Sequence, residues 1–330
     1  MPDSFPAPRW SSAPGTSPLP WEVEALWAQL LPLLPGLSVE VLARCDSTNT
    51  RLLERARLAG GTGPARSDQP LPPPGAMASA RGRRAGDLEP TLLVAEHQTE
   101  GRGRMGRVWQ ASAGASLTFS LALPLAPRQW QGLSLAVGLA LAEALEPPTA
   151  TRPGHAPRVQ LKWPNDLWLC DGQGPGRKLG GVLIESVALN TQARPGAPRM
   201  TVVGVGLNVL PQALEDLSSG YACARELLPD SSAPALLHRL APPLVRALLA
   251  FQTQGFAPLV AAYGRRDLLR GQPITTALPD LPQGVAEGVD EDGSLRVRAG
   301  QALHRVHSGE VSIRLVPGAG APQAPRDGVC

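Results

Sequence analysis

Residues 91–109 read TLLVAEHQTEGRGRMGRVW. An apolar run suited to a strand passes into a segment that holds three glycines (Gly101, Gly103, Gly106) and three arginines (Arg102, Arg104, Arg107) within seven residues. The segment has neither a helical nor a strand period, and its like charges repel. The plain reading is a solvated surface loop. The chemically specific one is a loop whose backbone N–H groups and guanidinium forks close around an anion.

The chain around it sets the fold. Upstream, WEVEALWAQLL (21–31) has apolar residues at helical spacing, stopped by Pro32. LSVEVLARC (37–45) reads as a strand, and a helix starts near Thr48 with Asp46 or Ser47 as its N-cap. Residues 60–90 are a low-complexity Gly/Pro/Arg insertion. Downstream, 116–125 is a strand, 130–146 a helix, and VQLKWPNDLWLC (159–170) a strand, a turn at Pro164-Asn165-Asp166 and a second strand. Strands follow over 178–189 and 200–209, then helices over 232–253 and 256–269. Beyond Gly271 only short strands and tight turns such as Glu291-Asp292-Gly293 remain. The pattern predicts an α+β fold: a mixed-sheet domain, then a small all-β barrel. The expected divisions are an N-terminal extension over 1–37, disordered in part, the mixed-sheet domain over 38–270, the barrel over 271–316 and a flexible tail over 317–330.

Composition narrows the class. With 31 basic and 28 acidic residues the net charge is +3, which argues against a dedicated nucleic-acid surface. The four cysteines (Cys45, Cys170, Cys223, Cys330) form no C-x-x-C pair, so neither a disulfide framework nor a zinc site is suggested. The N-terminus lacks a signal layout, and the apolar stretch at 133–145 is too short to span a bilayer. A cytoplasmic protein is expected. Only two residues are lysine, Lys162 and Lys178, and both flank WPND. In a chain that writes arginine almost everywhere, they are candidates for sites that need a compact ammonium.

Four segments at strand ends carry the polar residues expected of a site: STN (47–49), GRGRMGR (101–107), KWPND (162–166) with KLGG (178–181), and GVGLN (204–208). In this order and spacing the chain closely resembles the biotin–protein ligase family over about residues 38–316, in a form lacking the N-terminal DNA-binding domain. The resemblance implies a mixed-sheet domain of the biotin/lipoate ligase type followed by a barrel of the Src-homology type. It also implies a two-step acyl transfer. Biotin carboxylate attacks the α-phosphate of ATP to give biotinyl-adenylate and pyrophosphate; a lysine of the acceptor then takes the biotinyl group as an amide.

Carried over residue by residue, Ser47, Thr48, Asn49, Gln98, Gly101, Arg102, Lys178, Gly181 and Gly206 would bind biotin. Arg104, Arg107, Trp109, Lys162, Asn165, Asp166 and Asn208 would bind the nucleotide. Lys178 and Arg104 would be catalytic, and Asp166 would hold Mg²⁺. The 101–107 loop would close over the adenylate, held open beforehand by its own charge. ATP, Mg²⁺ and biotin are the implied co-substrate, ion and substrate, with no tightly bound prosthetic group. The implied partner is the biotin carboxyl carrier protein of acetyl-CoA carboxylase, without DNA or membrane; family members often form homodimers through sheet edges. A lipoate–protein ligase, a biotin-sensing regulator and an inactive binding protein are the rival readings.

Overall fold

The computed structural model describes residues 19–59, 89–151, 155–172, 174, 176–189, 196–212, 220–307 and 313–315. Most of the expected leader, the insertion up to residue 88 and the tail lie outside the described residues.

Helix α1 (Val23–Leu30) leads into β1 (Ser38–Cys45), α2 (Thr48–Ala59), β2 (Thr91–Gln98), β3 (Ser116–Leu125) and α3 (Leu133–Leu145). Then come β4 (Val159–Lys162), β5 (Asp166–Leu169), β6 (Arg177–Ala188), β7 (Arg199–Asn208), α4 (Ala233–Gln254) and α5 (Val260–Gly264). The seven strands form one sheet in the order β1-β2-β3-β7-β6-β5-β4. β1 and β2 are parallel, and every other neighbouring pair is antiparallel.

Alternation along β3 explains why the sheet has two working faces. Leu117, Phe119, Leu121, Leu123 and Leu125 enter the main core with α3 and α4. Thr118 and Ser120 point to the other face, where Leu52, Leu53 and Ala56 of α2 cover a smaller cluster with Leu93, Ala122, Met200 and Val202. Each large aliphatic side chain so buried contributes roughly 1.5–3 kcal/mol. Helix α3 is apolar nearly all round, as a helix between a sheet and a second helix must be.

The expected helix over 256–269 is a correction. Only a 3₁₀ turn (Ala257–Leu259) and the short α5 are helical. The chain beyond them docks on edge strand β4 instead: Leu161 N–H donates to Arg266 O (2.7 Å), and Leu268 N–H to Leu161 O (3.0 Å). The guanidinium of Arg266, 3% exposed, lies 3.2 Å from Glu146 Oε2 and donates to Val159 O at 2.8 Å. The buried guanidinium is thus paired and hydrogen-bonded, as a buried charge must be.

A second sheet comprises β8 (Pro273–Thr276), β9 (Gln283–Val289), β10 (Leu295–Ala299), β11 (Ala302–Val306) and β12 (Ile313–Leu315). It is antiparallel throughout, in the order β11-β10-β9-β8-β12. It abuts the first sheet at the WPND turn, where the buried Trp163 donates Nε1–H to Gly293 O at 3.0 Å. Gly293 adopts φ +80°, and a Cβ there would lie 2.6 Å from Gly132 Cα, so the Asp292-Gly293 turn requires glycine for both space and conformation. One contiguous apolar cluster runs through both sheets.

Candidate active site

A cavity of about 160 Å³ opens on the α2 face of the large sheet. Its floor is a chain of polar groups. Ser47 Oγ accepts from Thr50 N–H (3.4 Å) and caps α2. Thr48 N–H donates to Gln98 Oε1 at 2.7 Å. Ser120 Oγ lies 2.6 Å from both Thr48 Oγ1 and Asn49 Oδ1. Because an amide oxygen only accepts, Ser120 donates to Asn49, while Thr48 Oγ1 also lies 3.1 Å from Gln98 Oε1, so one threonine proton serves two neighbours. Asn49 Nδ2 in turn donates to Glu185 Oε2 (2.9 Å) and Leu183 O (3.2 Å). A Cβ at Gly204 would lie 2.2 Å from Asn49 Oδ1, so the first glycine of GVGLN makes room for that side chain.

The Gly/Arg segment folds as a small hairpin. Arg102 and Val108 form an antiparallel bridge, Gly103 N–H donates to Arg107 O (2.7 Å), and Trp109 N–H donates to Gly101 O (2.8 Å). Its tip places Met105 at φ 55° and Gly106 at φ 71°. The expected self-repulsion does not describe it, because the cations have partners. Arg102 Nη2 lies 3.3 Å from Glu185 Oε1, and Arg104 Nη1 donates to Asn165 Oδ1 at 3.3 Å. Burial pulls the Arg104 pKa below the usual guanidinium value, Asp166 opposing it, yet the group stays charged. The Trp109 indole rests against Gly206, where a Cβ would lie 2.5 Å from Cε2. Gly206 therefore seats the ring.

Opposite the hairpin, Lys178 Nζ lies 2.8 Å from Asp166 Oδ1 and 5.9 Å from the centroid of the Trp109 ring. Lys162 Nζ stands 5.2 Å over Trp168. Burial holds the Lys162 pKa below the ordinary lysine value; Asp166 raises it, while Lys178, Arg107 and Arg314 lower it further. Asn165 Nδ2 donates to Val182 O (2.9 Å), and the absent side chain of Gly181 leaves space beside Asp166 Oδ1. Both lysines of the chain thus reach one cavity, with Arg102, Arg104 and Arg107. The arrangement can neutralise a carboxylate and phosphates while burying them.

Ser47, Thr48, Asn49, Gln98, Arg102, Arg104, Arg107, Trp109, Lys162, Asn165, Asp166, Lys178, Gly181 and Gly206 all line this cavity. Gly101 and Asn208 do not. Gly101 is pinched at the hairpin stem, where a Cβ would lie 2.4 Å from Trp109 O. Asn208 spends its amide on Lys178 O (3.2 Å) and Ala222 O (2.9 Å), tying β7 to β6 and to the segment after it. Sequence reading missed Ser120, Gly204, Glu185 and Ile313. Glu185 carried a signal, being an acidic residue within a largely apolar strand; Ile313, lining the cavity from the second sheet, carried none.

The chain matches the Biotin/lipoate A/B protein ligase family over residues 84–208 and the Biotin protein ligase C terminal domain over 271–314. It is 31% identical to the bifunctional ligase/repressor BirA of Escherichia coli, covering 90% of this chain and 80% of that one. It is 35% identical to the biotin–[acetyl-CoA-carboxylase] ligase of Mycobacterium tuberculosis, covering 70% and 82%. Its fold resembles the biotin protein ligase of Aquifex aeolicus solved in complex with biotin and ATP: TM-score 0.58, 24% identity, 86% of this chain and all of that one. The cavity residues other than Ser47–Asn49 fall within the two matched regions, and the chain belongs to the biotin protein ligase family.

Proposed function

We propose that the chain activates biotin with ATP to biotinyl-5′-AMP and transfers the biotinyl group to a lysine of the biotin carboxyl carrier protein of a carboxylase. The observation that carries this reading is the convergence of both lysines, three arginines and the Ser47–Asn49/Gln98 pocket on one cavity.

The polar floor would meet the ureido ring, whose N–H and C=O groups need fixed partners of the opposite kind. Lys178 would stand between the carboxylate and the α-phosphate, stabilising charge as it develops in the transition state. Its ammonium is positioned for this by Asp166 and by the Trp109 face. Arg104 would neutralise phosphate, and the hairpin would keep water from the mixed anhydride. Lys162, which has no hydrogen bond among the described residues, would be open to a phosphate.

Among the described residues, no group of three or more His, Cys, Asp or Glu could hold a metal. Asp166 is the carboxylate lining the cavity. That donor set suits a Mg²⁺ carried on the ATP phosphates, with one oxygen from Asp166; bound there, it offsets phosphate charge. No described helix is long and apolar enough to cross a membrane. The reading places the enzyme in the cytoplasm, with no DNA partner. From Leu183 to Ala188, β6 pairs with β7 alone among the described residues, an edge at which a homodimer could extend the sheet.

Biotin-dependent exchange of pyrophosphate into ATP tests the first step, and labelling of a purified carrier domain tests the second. Exchange with lipoate but not with biotin would favour the lipoate–protein ligase reading instead.

A further inference from the structure

Glu185 is the one charged residue of the run GVLIESVAL, and the proposed reaction gives it no role. Its carboxylate nevertheless joins three elements. From β6, Oε2 receives Asn49 Nδ2 of α2 at 2.9 Å, while Oε1 pairs with Arg102 Nη2 of the hairpin at 3.3 Å. Arg102 Nη1 adds a contact to Thr50 Oγ1 at 3.5 Å. The orientation of Asn49 is fixed independently, since its Oδ1 takes the Ser120 hydroxyl and its Nδ2 also meets Leu183 O. Glu185 must therefore accept on both oxygens at once, which a carboxylate does and an amide does not.

We propose that Glu185 is a positioning residue that anchors the hairpin through Arg102 and competes with the ligand carboxylate for that guanidinium. The argument rests on the biotin ligase reading for the identity of the competing anion. One end of Glu185 shapes the pocket floor by holding Asn49. The other occupies the cation that a bound carboxylate or phosphate would otherwise engage. The Arg102 and Glu185 side chains are 49% and 24% exposed, so water screens the pair and its effect is modest. An anion that engages the Arg102 guanidinium must compete with this pair, and Glu185 thereby sets how much of that charge is available to substrate.

Glu185→Gln separates the two duties. Its amide oxygen can still receive Asn49, leaving only an NH₂ toward Arg102. With the full chain, the KM for biotin in pyrophosphate exchange should fall about two- to fivefold, the change falling on KM more than on kcat. Without ligand, amides 101–109 should exchange faster with solvent than in the wild type. Glu185→Ala, which also releases Asn49, should raise KM while loosening the hairpin equally. An unchanged or raised KM for Glu185→Gln, or wild-type protection of the hairpin in that variant, overturns the proposal. Hairpin protection in the ligand-free chain needs no substrate. It therefore still decides on the anchor if the wild-type chain shows no biotin-dependent exchange, the result that would overturn the functional reading.

Discussion

Replacing Asp267 by asparagine should stabilise the protein near neutral pH. Asp267 lies on the segment that docks against β4, and its Oδ1 accepts from Leu269 N–H at 3.0 Å. Its Oδ2 is enclosed without a hydrogen-bond partner among the described residues, as is the neighbouring Tyr263 hydroxyl. Burial pushes the carboxyl pKa from 3.8 up to about 6, although the Leu269 N–H and the charge of Arg270 pull the other way. A carboxyl raised in the folded state contributes stability that is fully present below its unfolded pKa and lost as pH rises through the folded value. Two units correspond to about 3 kcal/mol, an upper limit because the residue as a whole keeps some exposure. Between pH 4 and 7.5 the wild type should therefore lose up to ~3 kcal/mol relative to Asp267→Asn, roughly half of it above pH 5. The asparagine carbonyl can keep the Leu269 bond, so packing changes little. Urea denaturation of both proteins at pH 4.5, 6 and 7.5 reads the difference directly. A stability gap that stays constant across that range would refute the buried-carboxylate argument.

Lys178→Arg keeps the charge but not the compact contact with Asp166, and should lower pyrophosphate exchange roughly 10²–10³-fold; more than half of wild-type activity would remove Lys178 from the chemistry. Gly204→Ala puts a methyl 2.2 Å from Asn49 Oδ1 and should cost about 1–3 kcal/mol with a weakened affinity for biotin, measurable by thermal melt and titration; wild-type values for both would show that the pocket yields freely. Arg102→Gly should release adenylate that labels bystander proteins while the enzyme stays nearly unlabelled, since its two lysines line the cavity. Peptide mass spectrometry checks this, and heavy labelling of Lys162 or Lys178 in the wild type would mean that those side chains are free.

Most of the sheet was legible because β3, β6 and β7 write their burial as alternation or as unbroken apolar runs, and the site because glycine, lysine and asparagine cluster at their ends. What stayed hidden depended on contacts between distant residues. The apolar spacing of 256–269 suggests a helix, and only the encounter of Arg266 with Glu146 and β4 explains why it ends at Gly264. Asn208 carries the same motif signal as Asn165, but the bonds of its amide to Lys178 O and Ala222 O could not be read from the motif. Gly206, expected at the biotin pocket, seats the Trp109 ring, and Gly204 makes room for Asn49, contacts that no local spacing announces. The charges of the hairpin suggested repulsion because their partners, Glu185 and Asn165, lie far along the sequence.

Ile313, buried on β12, lines the same cavity as Trp163, although about 150 residues separate them in sequence. A chain made from its N-terminus at roughly 5–20 residues per second exposes the WPND turn some ~8–30 s before that strand exists. Once GVGLN (204–208) has followed, every motif residue is present, but one wall of the cavity is still missing, and Trp163 still has no Gly293 carbonyl to receive its indole N–H. The cavity is complete only once the second sheet has formed. A nascent or clipped chain that stops short of β12 carries both lysines in a cavity that lacks the wall formed by Ile313.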